Sequence, residues 1–445
     1  MKIPGVILAV MLVAWSGASR ATDIEEVTSA KGVKAWLVED HKLPLIAMNF
    51  AFRGGVEQDP VGKQGLATLA MSLLTQGAGP YDASAFQQQM ADHGIVLHFA
   101  AGRDQLEGGL KTLVEERETA FDLLRVALTH PRFDPAEIER ARARQLTRIR
   151  FQMGDPDWQA RYALLNYIFA GHPYGERSLG TLKTLAGLTA DDIGKFAATR
   201  LARGNLIVAV AGDITPKDLE IALDKVFGDL PIDASLAEIP EAKWPKMPAS
   251  ILVPREGTQT DLLFAEPGPK RDDPDWYAAQ IANYILGGGG FSSRLMQEVR
   301  VKNGLTYGID TGLAPMKHAA MITGDAATDN PKTGDAWNIT QDVWRKFHQD
   351  GATPEEIKSA KDYLTGSLPL TLTSTDAIAE TLVELQFEKL GRDYLEKREQ
   401  IIGGVSDGAI KAAIGKWFDP ANVSVAMVGE PKGVKPSTTQ EQVRE

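Results

Sequence analysis

The chain of 445 residues is predicted to be an α+β protein built from two homologous halves. Its length exceeds what one hydrophobic core usually organises. A block of sequence near residue 205 recurs near residue 422, and strand-like and helix-like segments are interspersed rather than strictly alternating. We therefore expect two α/β-sandwich-like halves, each with a mainly antiparallel sheet and with helices packed on one face.

The internal repeat is visible at three places. The strand-like block 205–213, NLIVAVAGD, parallels 422–430, NVSVAMVGE, at an offset of 217 residues, and 192–193 corresponds to 409–410 at the same offset. Further upstream, PAEI at 135–138 parallels PEEI at 354–357, with an offset of 219. This agreement predicts two copies of one domain, at 22–235 and 250–432.

Local patterns define the elements of the first half and its ends. Strands are predicted at 45–52, 94–101 and 206–211, and helices at 65–74, 115–128 and 135–151. The prolines between 231 and 249 indicate an extended linker, placed at 236–249. The polar segment 433–445 is expected to be a disordered tail.

Residues 1–21 have the pattern of a secretory signal peptide. Lys2 is followed by the apolar run 6–15, and Ser19 and Ala21 are small residues at the positions that a signal peptidase reads. A membrane anchor or a buried N-terminal helix is the alternative, although the run is too short to span a bilayer. We expect a periplasmic or secreted protein that has no membrane attachment after cleavage.

The charge and the absence of cysteine exclude several functions. The formal net charge of −11 argues against nucleic acid as a partner and favours basic or neutral peptides. With no cysteine, the chain has no disulfide, thiolate zinc site or cysteine nucleophile.

The segment 65–74, GLATLAMSLL, predicts a helix on which positions 68 and 72 share one face. Together with HPYG at 172–175, LGT at 179–181 and the stretch 288–307, it resembles the pitrilysin/insulinase family of metallopeptidases. The resemblance covers nearly all of the mature chain.

In that family a His-x-x-Glu-His motif supplies two zinc ligands and the general base, and a glutamate further along the chain is the third zinc ligand. Here Thr68, Met71 and Ser72 occupy those positions, and the region of the third ligand, 145–149, reads QLTRI without an acid. The resemblance therefore implies no metal, no cofactor and no catalytic residue on this chain alone.

Other sites are weaker. Among the seven histidines, His93 and His98 have no metal-pairing spacing, although Asp92 beside His93 leaves a weak site as an alternative to exposed or structural histidines. The glycines at 287–290 suggest a phosphate loop but lack the Gly-Lys-Ser/Thr ending, so a turn capped by Ser292 or Ser293 is the alternative. The HPYG segment is expected to be structural.

The stretch 291–309 is the best remaining functional signal. Its apolar spacing predicts a helix that ends at 303–304, followed by a strand at 305–309. The resemblance implies that Arg294 and Tyr307 contact the substrate backbone, and both side chains are hydrogen-bond donors suited to a peptide carbonyl. The alternative is an Arg294–Glu298 salt bridge and a core role for Tyr307.

These features resemble the zinc-lacking subunit of the family's bacterial heterodimers. The leading hypothesis is a subunit that binds and positions a peptide for hydrolysis at zinc held by a homologous partner. The alternative is a non-catalytic peptide-binding or scaffold protein of the same fold. An autonomous zinc peptidase is the third hypothesis.

Overall fold

The computed structural model describes residues 23–444, so the predicted signal peptide at 1–21 lies outside the described residues. The first half forms one six-stranded sheet from the strands β1 (Glu25–Thr28), β2 (Lys34–Glu39), β3 (Leu45–Arg53), β4 (Val96–Ala101), β5 (Gln105–Leu113) and β6 (Leu206–Gly212). The second sheet has the strands β7 (Ser250–Pro254), β8 (Gln259–Pro267), β9 (Ile309–Pro315), β10 (Ala320–Asp329), β11 (Ser424–Gly429) and β12 (Thr438–Thr439).

The helices follow the same division. Those of the first half are α1 (Leu66–Leu73), α2 (Ala83–Asp92), α3 (Arg117–Thr129), α4 (Pro135–Gly154), α5 (Pro156–Ile168), α6 (Leu182–Gly187), α7 (Ala190–Arg200) and α8 (Pro216–Phe227). Those of the second half are α9 (Trp276–Asn283), α10 (Thr333–Asp350), α11 (Pro354–Gly366), α12 (Thr375–Phe387), α13 (Tyr394–Gly403) and α14 (Asp407–Trp417).

The two sheets share one strand order, which confirms the two homologous halves. The order β2-β6-β3-β5-β4 in the first sheet matches β7-β11-β8-β10-β9 in the second. In each sheet the closing strand pairs in parallel with the first strand of this series and antiparallel with its other neighbour. The repeated blocks of the sequence are the closing strands β6 and β11. Both sheets are mainly antiparallel, as predicted.

Each sheet is covered on both faces, and one cover is exchanged between the halves. The main cores pack each sheet against helices of its own half. On the other face of the first sheet lies α12, which belongs to the second half and buries Ala379 and Leu382 against residues such as Ala47 and Ala209. In return α5 of the first half packs on the second sheet, where Leu164 is fully buried.

Two local predictions differ from the structure. Residues 305–308 are a loop, and the strand predicted at 305–309 begins only at Ile309. The cause is the side chain of Thr306, whose hydroxyl donates to Ala327 O at 2.8 Å, so the segment is tied to β10 without a backbone ladder.

The tail predicted to be disordered instead contains β12. It pairs in parallel with β7, and beyond it Val443 N donates to the side-chain oxygen of Gln159 at 2.9 Å. The physical reason is that β7 presents backbone groups at a sheet edge, which an extended polar segment can satisfy.

Within residues 23–444, no helix combines the length and the apolar character needed to cross a bilayer.

Candidate functional site

The motif helix α1 is held at its start by three neighbouring segments. The carboxylate of Asp59 accepts from Gly65 N at 2.9 Å and Ala67 N at 3.0 Å, which satisfies donors that a helix N-terminus leaves free. The Nε2 of Gln145, on α4, donates to Gly65 O at 3.1 Å and Leu179 O at 2.9 Å. The fold therefore keeps α1, the third-ligand region of α4 and the loop around Leu179 together.

The side chains at the motif positions are engaged in local contacts. Thr68 Oγ1 donates to Ser178 O at 2.9 Å, and Ser72 Oγ donates to Leu69 O at 2.8 Å. Met71 is 1% exposed and belongs to the core of the first half. Hydroxyl groups are poor zinc ligands, and a thioether cannot take a proton from water. Among residues 23–444, no group of three or more histidine, aspartate or glutamate side chains is arranged to hold a metal ion.

A cavity of about 230 Å³ lies beside α1, lined by α5, the HPYG loop and the turn after β4. Trp158 and Tyr162 stack in it with ring centroids 5.4 Å apart, and the guanidinium of Arg177 lies 4.7 Å from the Tyr162 ring. No sequence pattern indicates this cavity, because its aromatic and basic residues come from segments that are far apart in sequence.

Glu57 is the buried acid of this cavity. It is 2% exposed, and its Oε2 accepts from Gly55 N at 2.7 Å, whereas Oε1 has no hydrogen-bond partner. Burial, helped by the nearby charge of Asp104, raises the pKa of Glu57 to about 7. A glutamate in a glycine-flanked turn gives no sequence signal of this burial.

Arg294 forms its ion pair with Glu356, and not with Glu298 as in the alternative of an Arg294–Glu298 salt bridge. Its Nε and Nη2 donate to the two carboxylate oxygens of Glu356 at 2.7 and 2.6 Å, and Nη2 also donates to Gly351 O at 2.9 Å. The guanidinium lies 4.9 Å from the Phe347 ring centroid. Glu298 pairs with Lys302 instead. Beside Arg294, the pKa of Glu356 is lowered although burial acts in the opposite direction.

Tyr307 is 82% exposed, so it is not a core residue. It lies in the loop before β9, while Arg294 precedes the π-helical segment Met296–Lys302. Between Arg294 and Tyr307 the described residues show no hydrogen bond or ring contact. Arg294 is thus held rigidly by Glu356, whereas the phenol of Tyr307 faces solvent.

The other candidate residues have local partners. His93 Nδ1 is 2.7 Å from Glu116 Oε2, and His98 is exposed on β4. His172 accepts from Tyr174 N at 3.1 Å and donates to Pro240 O at 2.9 Å, contacts that suit a structural role.

The glycine-rich segment behaves as a turn. Ser292 and Ser293 donate to Gly289 O and Gly290 O at 2.7 and 2.8 Å. Ser293 Oγ also lies 3.4 Å from Met296 N, as a weak cap.

The fold and the site define an α+β protein of two homologous halves that has no metal ligand at its motif positions. A family model described as the peptidase M16 inactive domain matches residues 187–364. A crystal structure of a peptidase M16 inactive domain from Pseudomonas fluorescens has 30% sequence identity and a TM-score of 0.86, covering 93% of this chain and 100% of that chain.

Two known relatives match most of the chain and have names that differ in the activity they state. The "non-peptidase homolog YmxG" of Helicobacter pylori is 26% identical over 347 residues, which is 78% of this chain and 80% of the relative. The "uncharacterized zinc protease YmxG" of Bacillus subtilis is 23% identical over 356 residues, 80% of this chain and 86% of the relative. The chain belongs to the M16 peptidase family, which confirms the resemblance to pitrilysin and insulinase.

Proposed function

We propose that this chain is the non-zinc subunit of an exported heterodimeric zinc peptidase. In this role it binds a peptide and positions it for hydrolysis at zinc carried by a homologous partner subunit. The observation that carries the proposal is the pairing of a motif helix without ligands, at Thr68, Met71 and Ser72, with an arginine and a tyrosine retained in the other half.

The geometry of Arg294 suits a substrate contact. Its bonds to Glu356 and Gly351 use Nε and Nη2, and Nη1 makes no hydrogen bond within the described part of the chain. A guanidinium fixed by a carboxylate can therefore present Nη1 to a peptide carbonyl, where a preorganised donor stabilises developing negative charge. Tyr307, 82% exposed, would supply a second donor once the partner closes over it.

The sheet edges offer a place for an extended peptide. In the first sheet β4 is an edge strand, and in the second β9 is the edge strand that follows the loop of Tyr307. An extended peptide can pair its backbone with such an edge. We propose that the peptide adds to an edge in this way, with the donors of Arg294 and Tyr307 near the bond to be cleaved.

The test measures peptide hydrolysis by this chain, by a homologue with an intact His-x-x-Glu-His motif, and by the mixture. The mixture should be active, and this chain alone inactive. Tyr307→Phe should lower kcat of the mixture by about 10-fold or more, because removing one transition-state donor costs that much or more. Tyr363→Phe is the matched control, since Tyr363 is also exposed, at 56%, but lies on α11.

Arg294→Ala provides the second arm, with its unfolding curve recorded because it leaves Glu356 without its partner. Unchanged activity of the mixture with both variants would refute the proposed clamp. If the two chains do not associate in sedimentation and the mixture stays inactive, the result would favour the alternative of a non-catalytic peptide-binding or scaffold protein. About one zinc per purified chain, with hydrolysis by this chain alone, would establish the autonomous peptidase instead.

Export is part of the proposal and rests on residues 1–21. The mature protein recovered from the periplasm or the medium should begin after Ala21 when its N-terminus is determined by mass spectrometry.

A further inference from the structure

A second cavity, of about 460 Å³, lies between the first sheet and α12. In the first half its lining comes from β3, β4, β5 and the turn between the last two. In the second half the lining comes from α12, from Glu388 directly after it and from Pro315 at the end of β9. The cavity therefore exists only because α12 crosses to the first sheet. Neither Arg294 nor Tyr307 lines it, although His98 of the edge strand β4 does.

The lining is strongly acidic. It contains six carboxylates, namely Asp104, Glu107, Asp376, Glu380, Glu384 and Glu388. The basic side chains of the lining are Arg103 and His98, and Arg103 is engaged with Tyr174, donating to its backbone oxygen at 3.4 Å and lying 5.2 Å from its ring. Within residues 23–444, none of the six carboxylates forms an ion pair, although Asp104 accepts from the Tyr174 hydroxyl and from Lys317 N.

Four acids lie on α12 or directly after its last residue, at 376, 380, 384 and 388, and the four-residue spacing places Asp376, Glu380 and Glu384 along one face of the helix. Like charges at this spacing destabilise a helix. At the end of this row Arg53 donates to Gln386 O and Phe387 O, and the charges of Arg53 and Arg271 act on Glu388. Asp376, Glu380 and Glu384 form no ion pair among residues 23–444, so a cationic ligand would relieve their repulsion.

An independent observation points to the same ligand chemistry. Asn49, on β3, is 9% exposed and lines the cavity, and its Oδ1 has no hydrogen-bond partner. Its Nδ2 is already used, donating to Asp376 O at 3.3 Å. Gln105 shows the same pattern, because Nε2 donates to Glu107 at 2.8 Å while the buried Oε1 is unpaired. Buried acceptors of this kind normally have a donor.

We propose that this cavity binds a cationic group with several N–H donors, and that the natural source is an arginine side chain of a peptide. A guanidinium carries five N–H donors, which suits carboxylates together with unpaired amide oxygens. A divalent metal ion fits less well, because no three acidic or histidine side chains among residues 23–444 converge on one point. The inference does not depend on a zinc-bearing partner.

The experiment is calorimetric titration of the purified chain, at about 20 mM salt, with acetyl-Gly-Arg-Gly-amide and with the same peptide carrying neutral citrulline in place of arginine. The arginine peptide should bind and the citrulline peptide should not. The double variant Glu380→Gln/Glu384→Gln should weaken binding about tenfold or more, since it removes two exposed carboxylates of the cavity. Salt of about 200 mM should also weaken it.

Glu399→Gln is the matched control, because it removes one exposed carboxylate on α13, outside the cavity, and should leave binding unchanged. Asn49→Ala tests the buried acceptor separately and should weaken binding in a chain whose thermal unfolding shows it to be folded. Equal binding of the two peptides, or unchanged binding to the double variant, would overturn the proposal, as would calcium binding tighter than the peptide. Binding of spermidine without the peptide would support the cationic site and assign it to a free polyamine.

Discussion

Glu57 shows how burial changes the behaviour of a single residue. Its ordinary pKa of 4.5 is raised to about 7 in the folded chain, chiefly because the carboxyl is removed from water. The folded state therefore holds this proton more tightly than the unfolded state. The contribution of Glu57 to the stability of the folded state is therefore fully present below about pH 4.5 and is lost as the pH rises through about 7.

Glu57→Gln should remove this loss, because the amide keeps the oxygen that accepts from Gly55 N and carries no charge. Relative to the parent chain, the variant should gain about 1–3 kcal/mol in free energy of unfolding at pH 8 and little at pH 5. Urea unfolding at the two pH values measures this. The free energy of unfolding of the variant should still fall somewhat with rising pH, because the pKa of Asp59 is likewise raised to about 7. The exposed Glu220→Gln should show no such difference, and an equal gain at both pH values would contradict the prediction.

At the scale of single elements, the start of α1 depends on the space around one glycine. Gly65 has φ of 92°, and a Cβ there would lie 2.4 Å from Leu179 O, whereas Gly62, with φ of 81°, has no atom within 4 Å of such a Cβ. Both positions impose left-handed backbone strain of about 1 kcal/mol on alanine. Only Gly65 adds a collision with backbone that Gln145 also fixes.

Gly65→Ala should therefore lower the free energy of unfolding by about 3 kcal/mol or more, and Gly62→Ala by about 1 kcal/mol. Chemical denaturation of the two variants separates collision from strain. Losses of the same size would show that the loop around Leu179 moves away freely, and that α1 is not held as the structure shows.

The elements also show which patterns the sequence could specify. Continuous β-rich runs predicted the strands at 45–52 and 206–211, which are buried along nearly their whole length, and apolar spacing predicted the helix at 135–151. The prediction of a strand at 305–309 was wrong at its start, because the Thr306 side chain, and not a backbone ladder, holds this segment against β10. Local sequence patterns could not predict the partner of Arg294 either, since Glu356 is 62 residues further along the chain.

At the scale of the whole molecule, the repeat predicted two sheets but could not predict that they exchange a helix. An apolar face shows that α5 or α12 is buried, but periodicity carries no information about which sheet buries it. The acidic cavity and the cavity beside α1 follow from this long-range packing. For the same reason the two halves are not independent units, because each sheet lacks one cover without the other half.

Leu382 provides the test of this dependence. It is fully buried in α12, within the second half of the sequence, yet it packs on the first sheet. Leu382→Ala should destabilise the chain by about 2–5 kcal/mol, as deletion of a buried leucine side chain does. Hydrogen exchange followed by mass spectrometry should show faster exchange in β3 and β6. The control Leu370→Ala, 75% exposed, should change neither quantity. If exchange instead rose only between residues 250 and 432, the two halves would be separate folding units, and α12 would not stabilise the first sheet.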